Sequence, residues 1–159
     1  MTKGFSHMDE SGNIRMVNIS QKRVTERYAR ARCVIKMKRA TLKAISVGKM
    51  GKGDVFTTAK IAGIQAAKKV DELIPLCHPL PLNHIEIAFK PETDRGTLEV
   101  TSEVKVTGRT GAEMEALQAV TQAALTVYDM CKAVDRGMMI TDIALLEKGG
   151  GKSGVWKKE

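Results

Sequence analysis

Two side chains in the last third of the sequence have the types and the spacing of an acid/base pair. Asp129 and Lys132 are three residues apart in a segment without proline. On an α-helix, residues three apart are neighbours on the surface. A carboxylate beside an ammonium group is either a solvated ion pair, worth a few tenths of a kcal/mol, or a pair that exchanges protons with a substrate. The spacing alone leaves both interpretations open.

A second group of reactive side chains lies in a segment that proline makes rigid. Residues 73–82 read Leu-Ile-Pro-Leu-Cys-His-Pro-Leu-Pro-Leu, and this proline content excludes a continuous helix or a central strand. His78 is therefore held stiffly, which suits the positioning of a substrate. His84 follows nearby, but no carboxylates or paired cysteines stand at ligand spacing, so the sequence does not favour a metal site.

Two glycine-rich segments carry lysines that could meet an anion. Lys52 lies between two glycines and just before Asp54, a candidate helix N-cap. A helix N-terminus attracts phosphate, although the segment is also an ordinary glycine turn. The segment 151–153, Gly-Lys-Ser, is not a P-loop, because Leu146 occupies the position of the required first glycine. This tail could still bring Lys148 or Lys152 to a bound anion.

The acid/base pair lies on the longest predicted helix, residues 111–136. Alanine, leucine, glutamate and glutamine fill this segment, and all are good helix formers. Glu113 and Glu115 suit the positive end of its dipole, and Gly137 follows its last turn. Apolar residues recur at steps of three and four and form one stripe: Leu117, Val120, Ala124, Val127, Cys131 and Val134. Asp129 falls nearly opposite that stripe, on the face that does not cover the core.

The other elements predict an α+β fold. Residues 28–37 alternate between polar and small apolar side chains, which predicts a strand with one buried face. The remaining predicted elements are a short helix over 38–47, a helix from 54 to about 70, hairpin strands over 84–90 and 96–108, and a last strand over 138–146. This order is typical of a ferredoxin-like sandwich, an antiparallel sheet with helices on one face. We expect a single domain over residues 1–159, with a loosely held N-terminal arm (1–20) and a flexible Gly/Lys-rich tail (148–159).

Composition narrows the classes of function. The net charge is +8, and residues 22–43 hold nine Lys or Arg against one Glu, which indicates an anionic partner or solubility. No run of eighteen apolar residues exists, so we expect no membrane span. Three cysteines that are far apart fit free thiols in a reducing cytoplasm. A basic nucleic-acid-binding α+β module is the alternative, but aromatic residues make up only 4% and the RNA-recognition signature is absent.

Six segments together resemble one enzyme family over nearly the whole chain, from about Ser6 to Trp156. The segments are Lys52-Gly-Asp-Val-Phe56, Ala62-Gly-Ile-Gln-Ala-Ala-Lys68, Leu73-Ile-Pro-Leu-Cys-His-Pro-Leu80, Thr110-Gly-Ala-Glu-Met-Glu-Ala-Leu117, Tyr128-Asp-Met-Cys-Lys-Ala133 and Gly150-Gly-Lys-Ser-Gly154. They are similar to the motifs of the cyclic pyranopterin monophosphate synthases of molybdenum cofactor biosynthesis. The third, fourth and fifth segments together are a highly specific combination.

The resemblance implies an activity and a set of site residues. The family converts a cyclised GTP, 3′,8-cyclo-7,8-dihydro-GTP, into cyclic pyranopterin monophosphate and releases pyrophosphate. By motif, the resemblance implies that Asp129 and Lys132 are the catalytic pair and that Lys52 is a further acid/base or phosphate-binding group. The residues expected to bind the substrate are Leu76, Cys77, His78, Glu113, Met114, Glu115 and Lys148.

The resemblance also implies partners and cofactors. We expect a homo-hexamer built as a trimer of dimers, with each site at a dimer interface, and no nucleic acid or membrane partner. No cofactor is required, because the reaction is a rearrangement followed by loss of pyrophosphate, although Mg²⁺ could assist the pyrophosphate. Opening and closing a purine ring needs repeated proton transfers. A lysine can supply them near neutral pH where burial or neighbouring cations lower its pKa.

Overall fold

A computed structural model describes residues 7–9, 11–48, 51 and 53–159 of the chain. The strands are β1 (Thr25–Lys36), β2 (Leu82–Glu92), β3 (Thr97–Gly108), β4 (Met139–Gly149) and β5 (Trp156–Lys157), and the helices are α1 (Arg39–Ser46), α2 (Val55–Ala67), α3 (Val70–Leu73) and α4 (Glu113–Cys131). The sheet has the order β2-β3-β1-β4-β5, and every neighbouring pair is antiparallel. The helical connections between β1 and β2 and between β3 and β4 each skip one strand, which confirms the predicted ferredoxin-like α+β fold.

The two faces of the sheet follow from the alternation in β1. Ala29, Ala31, Cys33 and Ile35 are fully buried and form the inner face together with apolar residues of β3. On the outer face, the side chains between them form ion pairs with glutamates of the neighbouring strands. Arg30 pairs with Glu103 and Glu147, and Arg32 with Glu99. The prediction of a strand with one polar and one small apolar face is therefore confirmed.

Helices α2 and α4 pack on the inner face and lie close to each other because small residues line their contact. A Cβ atom on Gly63 of α2 would stand 2.5 Å from the Ile87 side chain and 2.6 Å from the Ala119 carbonyl oxygen of α4. Ala119 and Ala123 on the facing side of α4 are fully buried. This close contact explains the alanine content of both helices. No helix in the described part of the chain is long and apolar enough to cross a membrane.

Helix α4 ends earlier than the sequence predicts, at Cys131 instead of residue 136. Beyond this end the amides of Val134 and Asp135 both donate to the Cys131 carbonyl, and residues 132–134 form a turn. The buried Asp135 carboxylate accepts hydrogen bonds from the Lys38 amide at 2.8 Å and the Thr41 hydroxyl at 3.1 Å, at the start of α1. Val134 is consequently 60% exposed and does not belong to the core stripe.

The C-terminal boundary also differs from the prediction, because the expected tail begins inside a strand. Strand β4 continues through Lys148 to Gly149, so the expected last strand over 138–146 is too short. The chain then turns at Gly150 and Gly151, both with positive φ, and returns as β5, which pairs with Glu147 and Lys148. Lys148 therefore has a fixed backbone position in the sheet.

Candidate active site

The C-terminal end of α4 carries the predicted catalytic pair. Lys132 Nζ lies 2.6 Å from Asp129 Oδ1, and the two side chains are 53% and 61% exposed. The hydrogen bond and the charge of Asp129 raise the pKa of Lys132 above its ordinary value. Within this single chain, the environment therefore shifts the pKa away from neutrality, opposite to the direction expected of a lysine that transfers protons. Asp129 and Lys132 therefore form an ion pair on the surface, as their spacing of three residues indicates.

The N-terminal end of the same helix forms one wall of a cleft of about 390 Å³. The opposite wall is the rigid segment between α3 and β2. Six of the residues predicted to bind substrate line this cleft: Leu76, Cys77, His78, Glu113, Met114 and Glu115. Their two segments are about 35 residues apart in sequence and come together because α4 follows β3 back across the sheet.

Burial gives this cleft a carboxyl group that titrates near neutral pH. Glu115 is only 4% exposed. Burial, with smaller contributions from the negative charges of Glu113 and Asp71, raises its pKa from 4.5 to about 7. Burial and the nearby Glu115 also raise the pKa of the Cys77 thiol. The cleft can therefore offer a neutral carboxylic acid as a hydrogen-bond donor, or exchange its proton with a ligand.

Lys148 reaches the first turn of α4 from the neighbouring strand. Its Nζ donates to Glu113 Oε1 at 2.6 Å, and the two side chains are 34% and 26% exposed. The structure thus brings Lys148 together with a residue of the cleft wall, 35 residues away in sequence.

The predicted catalytic pair and the cleft are not brought together within one chain. Helix α4 is continuous from Glu113 to Cys131, and Glu115 and Asp129 are fourteen residues apart. At 1.5 Å per residue they are separated by about 21 Å along the helix axis. The two groups of predicted site residues therefore occupy opposite ends of a single rigid helix.

Comparison with known proteins decides the family. The model of the MoaC family matches residues 16–151. This chain belongs to the MoaC family. A cyclic pyranopterin monophosphate synthase from Pelotomaculum thermopropionicum is 53% identical over 156 residues, which cover 98% of this chain and 92% of that relative. All the residues that we predicted for the site fall within the family match, so the MoaC assignment covers both ends of α4.

In this MoaC-family chain, the cleft also has walls that the sequence analysis missed. His7, Val17 and Ile19 line it from the segment 1–20, which we expected to be a loosely held arm, and Lys22 lines it from just after that segment. Within the segment Met8 and Ile14 form a β-bridge, and beyond its end Arg109 Nε donates to the Lys22 carbonyl at 3.2 Å. Val17 and Ile19, two residues apart and both half-buried, supply apolar surface to the cleft.

Lys52, the third predicted catalytic residue, lies outside the described residues. The neighbouring helix start is described and agrees with the sequence. Asp54 caps α2, accepting from the Thr57 amide at 3.0 Å and from the Thr57 hydroxyl at 2.6 Å. The role of Lys52 stays a prediction.

A second groove, of about 640 Å³, lies outside the predicted site. It is lined by residues such as Tyr28, His84 and Lys105, none of which belongs to the predicted site. Across residues 7–9, 11–48, 51 and 53–159, no three His, Cys, Asp or Glu side chains come together in a way that could hold a metal ion.

Proposed function

We propose that this chain forms cyclic pyranopterin monophosphate in molybdenum cofactor biosynthesis, the product named for its 53% identical relative. The observation that carries the proposal is the cleft. It gathers Leu76 to His78 and Glu113 to Glu115 in a chain of the MoaC family. The substrate is 3′,8-cyclo-7,8-dihydro-GTP, which is rearranged to the pyranopterin with loss of pyrophosphate. Neither family nor relative favours the nucleic-acid-binding alternative.

The residues of the cleft have tasks that this chemistry requires. Ring opening and closure need proton transfers, and Glu115, with its pKa near 7, can give and accept protons in the neutral range. Lys148, which is paired with Glu113 of the cleft wall, supplies positive charge for the phosphate groups. Asp129, Lys132 and Lys52 are the remaining acid/base groups. No cofactor is needed for these steps, and Mg²⁺ could assist the departing pyrophosphate.

The distance between the two ends of α4 supports a site shared by two subunits. A separation of about 21 Å is too long for one substrate to contact Glu115 and Asp129 of the same chain. Two copies of α4 running antiparallel across a two-fold axis would place the first turn of one beside the last turn of the other. Met114 and Leu125, 37% and 48% exposed, supply apolar surface on the outward side of the helix for this contact.

The assembly and the location follow as parts of the same proposal. The dimers combine as a trimer of dimers, which gives the hexamer implied by the resemblance. The protein works in the cytoplasm, where the thiols of Cys33, Cys77 and Cys131 stay reduced.

The test of this function is incubation of the full chain with 3′,8-cyclo-7,8-dihydro-GTP. We expect pterin fluorescence and pyrophosphate to appear in equal amounts, with GTP giving neither. Pyrophosphate without pterin, or no turnover by a folded oligomer, would overturn the proposal. Binding to RNA or DNA that weakens steeply with added salt would favour the alternative module instead.

A further inference from the structure

The Glu113 carboxylate lies beside the start of helix α4 but does not cap it. Helix α4 begins without a side-chain cap, since its N-cap residue is Ala112. The Glu113 carboxylate instead folds back over the backbone of Gly111 and accepts a hydrogen bond from Lys148 Nζ at 2.6 Å. Of the two acidic residues in the first turn, Glu113 is therefore engaged with a strand residue.

Gly111 makes room for this arrangement. A Cβ atom at position 111 would overlap Glu113 Oε2 and stand 2.7 Å from its Cδ atom. The backbone of Gly111 is not in the left-handed region that favours glycine. Conformational freedom therefore does not explain why position 111 is a glycine. The missing side chain leaves space in which the carboxylate lies.

Lys148 is anchored at its backbone and at its ammonium group. Strand β4 holds its backbone between Ala29 of β1 and Trp156 of β5. A lysine side chain is long and has several rotatable bonds, so its charged end needs a further contact to stay in one place. Glu113, which lines the cleft, supplies this contact by accepting a hydrogen bond from the Lys148 ammonium group.

We propose that Glu113 is a positioning residue that holds the Lys148 ammonium group at the cleft for the phosphate groups of the substrate, in the space that Gly111 leaves. This inference rests on the proposed function and changes one expectation from the sequence, that Glu113 binds the substrate itself. The pair also keeps a negative charge on the cleft wall neutralised. An anionic substrate therefore does not meet an unpaired carboxylate there.

A double-mutant cycle tests the inference with the full-length protein. Lys148→Ala and Glu113→Gln should each raise KM about tenfold with little change in kcat, because both remove binding that ground state and transition state share. The double variant should be no worse than Lys148→Ala, since the two residues act as one unit. Fold-changes in KM that multiply would overturn the inference, because they would mean that Glu113 contacts the substrate independently.

Gly111→Ala sharpens the test because it keeps both charges and only displaces the carboxylate. We expect KM to rise as in Glu113→Gln, and the Gly111→Ala/Glu113→Gln double variant to match Glu113→Gln alone. An unchanged KM in folded Gly111→Ala would overturn the inference, and if that variant does not fold, the first cycle decides. Lys157→Ala is the matched control, since Lys157 lies on the adjacent strand and pairs loosely with Glu147 at 3.7 Å, and its KM should not change.

A binding measurement separates this inference from the proposed function. Calorimetry with inorganic pyrophosphate should show affinity about tenfold weaker for Glu113→Gln than for wild type, whether or not the chain makes a pterin. Equal affinities would overturn the positioning role. Absence of pterin from wild type, with the affinity difference intact, would overturn only the proposed reaction.

Discussion

The two ends of helix α4 place similar side chains in opposite environments. At the N-terminal end, Glu115 is 4% exposed in a cleft closed by two other segments. At the C-terminal end, Asp129 and Lys132 are more than half exposed. Burial raises the pKa of Glu115 to about 7, whereas the hydrogen bond that Lys132 donates to Asp129 raises the pKa of Lys132 further from neutrality.

This difference shows which end is chemically complete in one chain. The cleft already supplies the low-dielectric surroundings that raise the pKa of Glu115 toward neutral pH. The exposed pair has solvent around it, and an exposed ion pair contributes little on its own. If the pair is catalytic, a further surface has to cover it and change its surroundings. A second copy of the cleft end is the proposed cover.

The largest effect is expected from breaking the exposed pair. Asp129→Asn and Lys132→Ala should each lower kcat about a hundredfold or more and change the free energy of unfolding by less than about 1 kcal/mol. Steady-state kinetics and chemical denaturation measure the two quantities. The control is the ion pair of Lys60 and Glu86, equally close at 2.7 Å and also exposed, where Lys60→Ala should leave kcat unchanged. A variant at 129 or 132 that keeps full activity would identify the pair as a surface ion pair only.

Mixing two inactive variants tests whether the two ends meet between subunits. Glu115→Ala and Asp129→Asn, exchanged under conditions that dissociate the oligomer, should regain about a quarter of wild-type activity. Half the dimers would be mixed, and each would hold one intact site. Each variant treated alone is the control. A mixture that stays inactive while mass spectrometry shows mixed oligomers would assign each site to one chain.

The titration of Glu115 gives an effect on stability. Its pKa is raised in the folded state, so the folded protein holds the proton more tightly than the unfolded chain. The contribution of Glu115 to the free energy of unfolding is therefore fully present below pH 4.5 and is lost as the pH rises through about 7. The loss is on the order of 3 kcal/mol. Glu115→Gln should reduce the difference in unfolding free energy between pH 5 and pH 8 by that amount, measured by denaturant titration. In the control variant Glu72→Gln, which changes an exposed residue, the difference should stay as in the wild type. An unchanged difference in Glu115→Gln would contradict a raised pKa of Glu115 in the folded protein.

The smallest expected effect concerns the predicted role of Lys52. Lys52→Ala should lower kcat/KM about tenfold or more, as expected for loss of a charged hydrogen bond, and Lys157→Ala should leave it nearly unchanged. Both substitutions remove one positive charge, so a general field effect would treat them alike. Equal losses would mean that net charge, and not a particular lysine near α2, serves the substrate.

The fold was predictable where local patterns are strong. The alternation from Tyr28 to Met37 identified the inner face of β1, and the order of elements indicated the ferredoxin-like topology. The end of α4 was not predictable from periodicity, because Asp135 bonds to the Lys38 amide, 97 residues away in sequence. Such a contact is visible only once the chain has folded.

The candidate site likewise has residues that the sequence indicates and residues that only the folded structure brings together. The resemblance indicated the loop around His78 and the first turn of α4, and the structure places both in one cleft. The pairing of Lys148 with Glu113 depends on the register of β4. The sequence places residue 148 in a flexible tail and therefore does not predict this pairing. The contribution of His7 and Lys22 depends on long-range packing of the N-terminal segment, for which composition gives almost no signal.

The raised pKa of Cys77 has a consequence for the survival of the cleft under oxidative stress. The thiolate, not the thiol, reacts with peroxides and alkylating agents. Burial and the neighbouring Glu115 raise the pKa of the Cys77 thiol and so lower the fraction present as thiolate, and burial raises the pKa of Cys33 to about 12. Cys77 therefore contributes a compact, weakly polar surface to the cleft and is a poor target for electrophiles that inactivate enzymes with exposed thiolates.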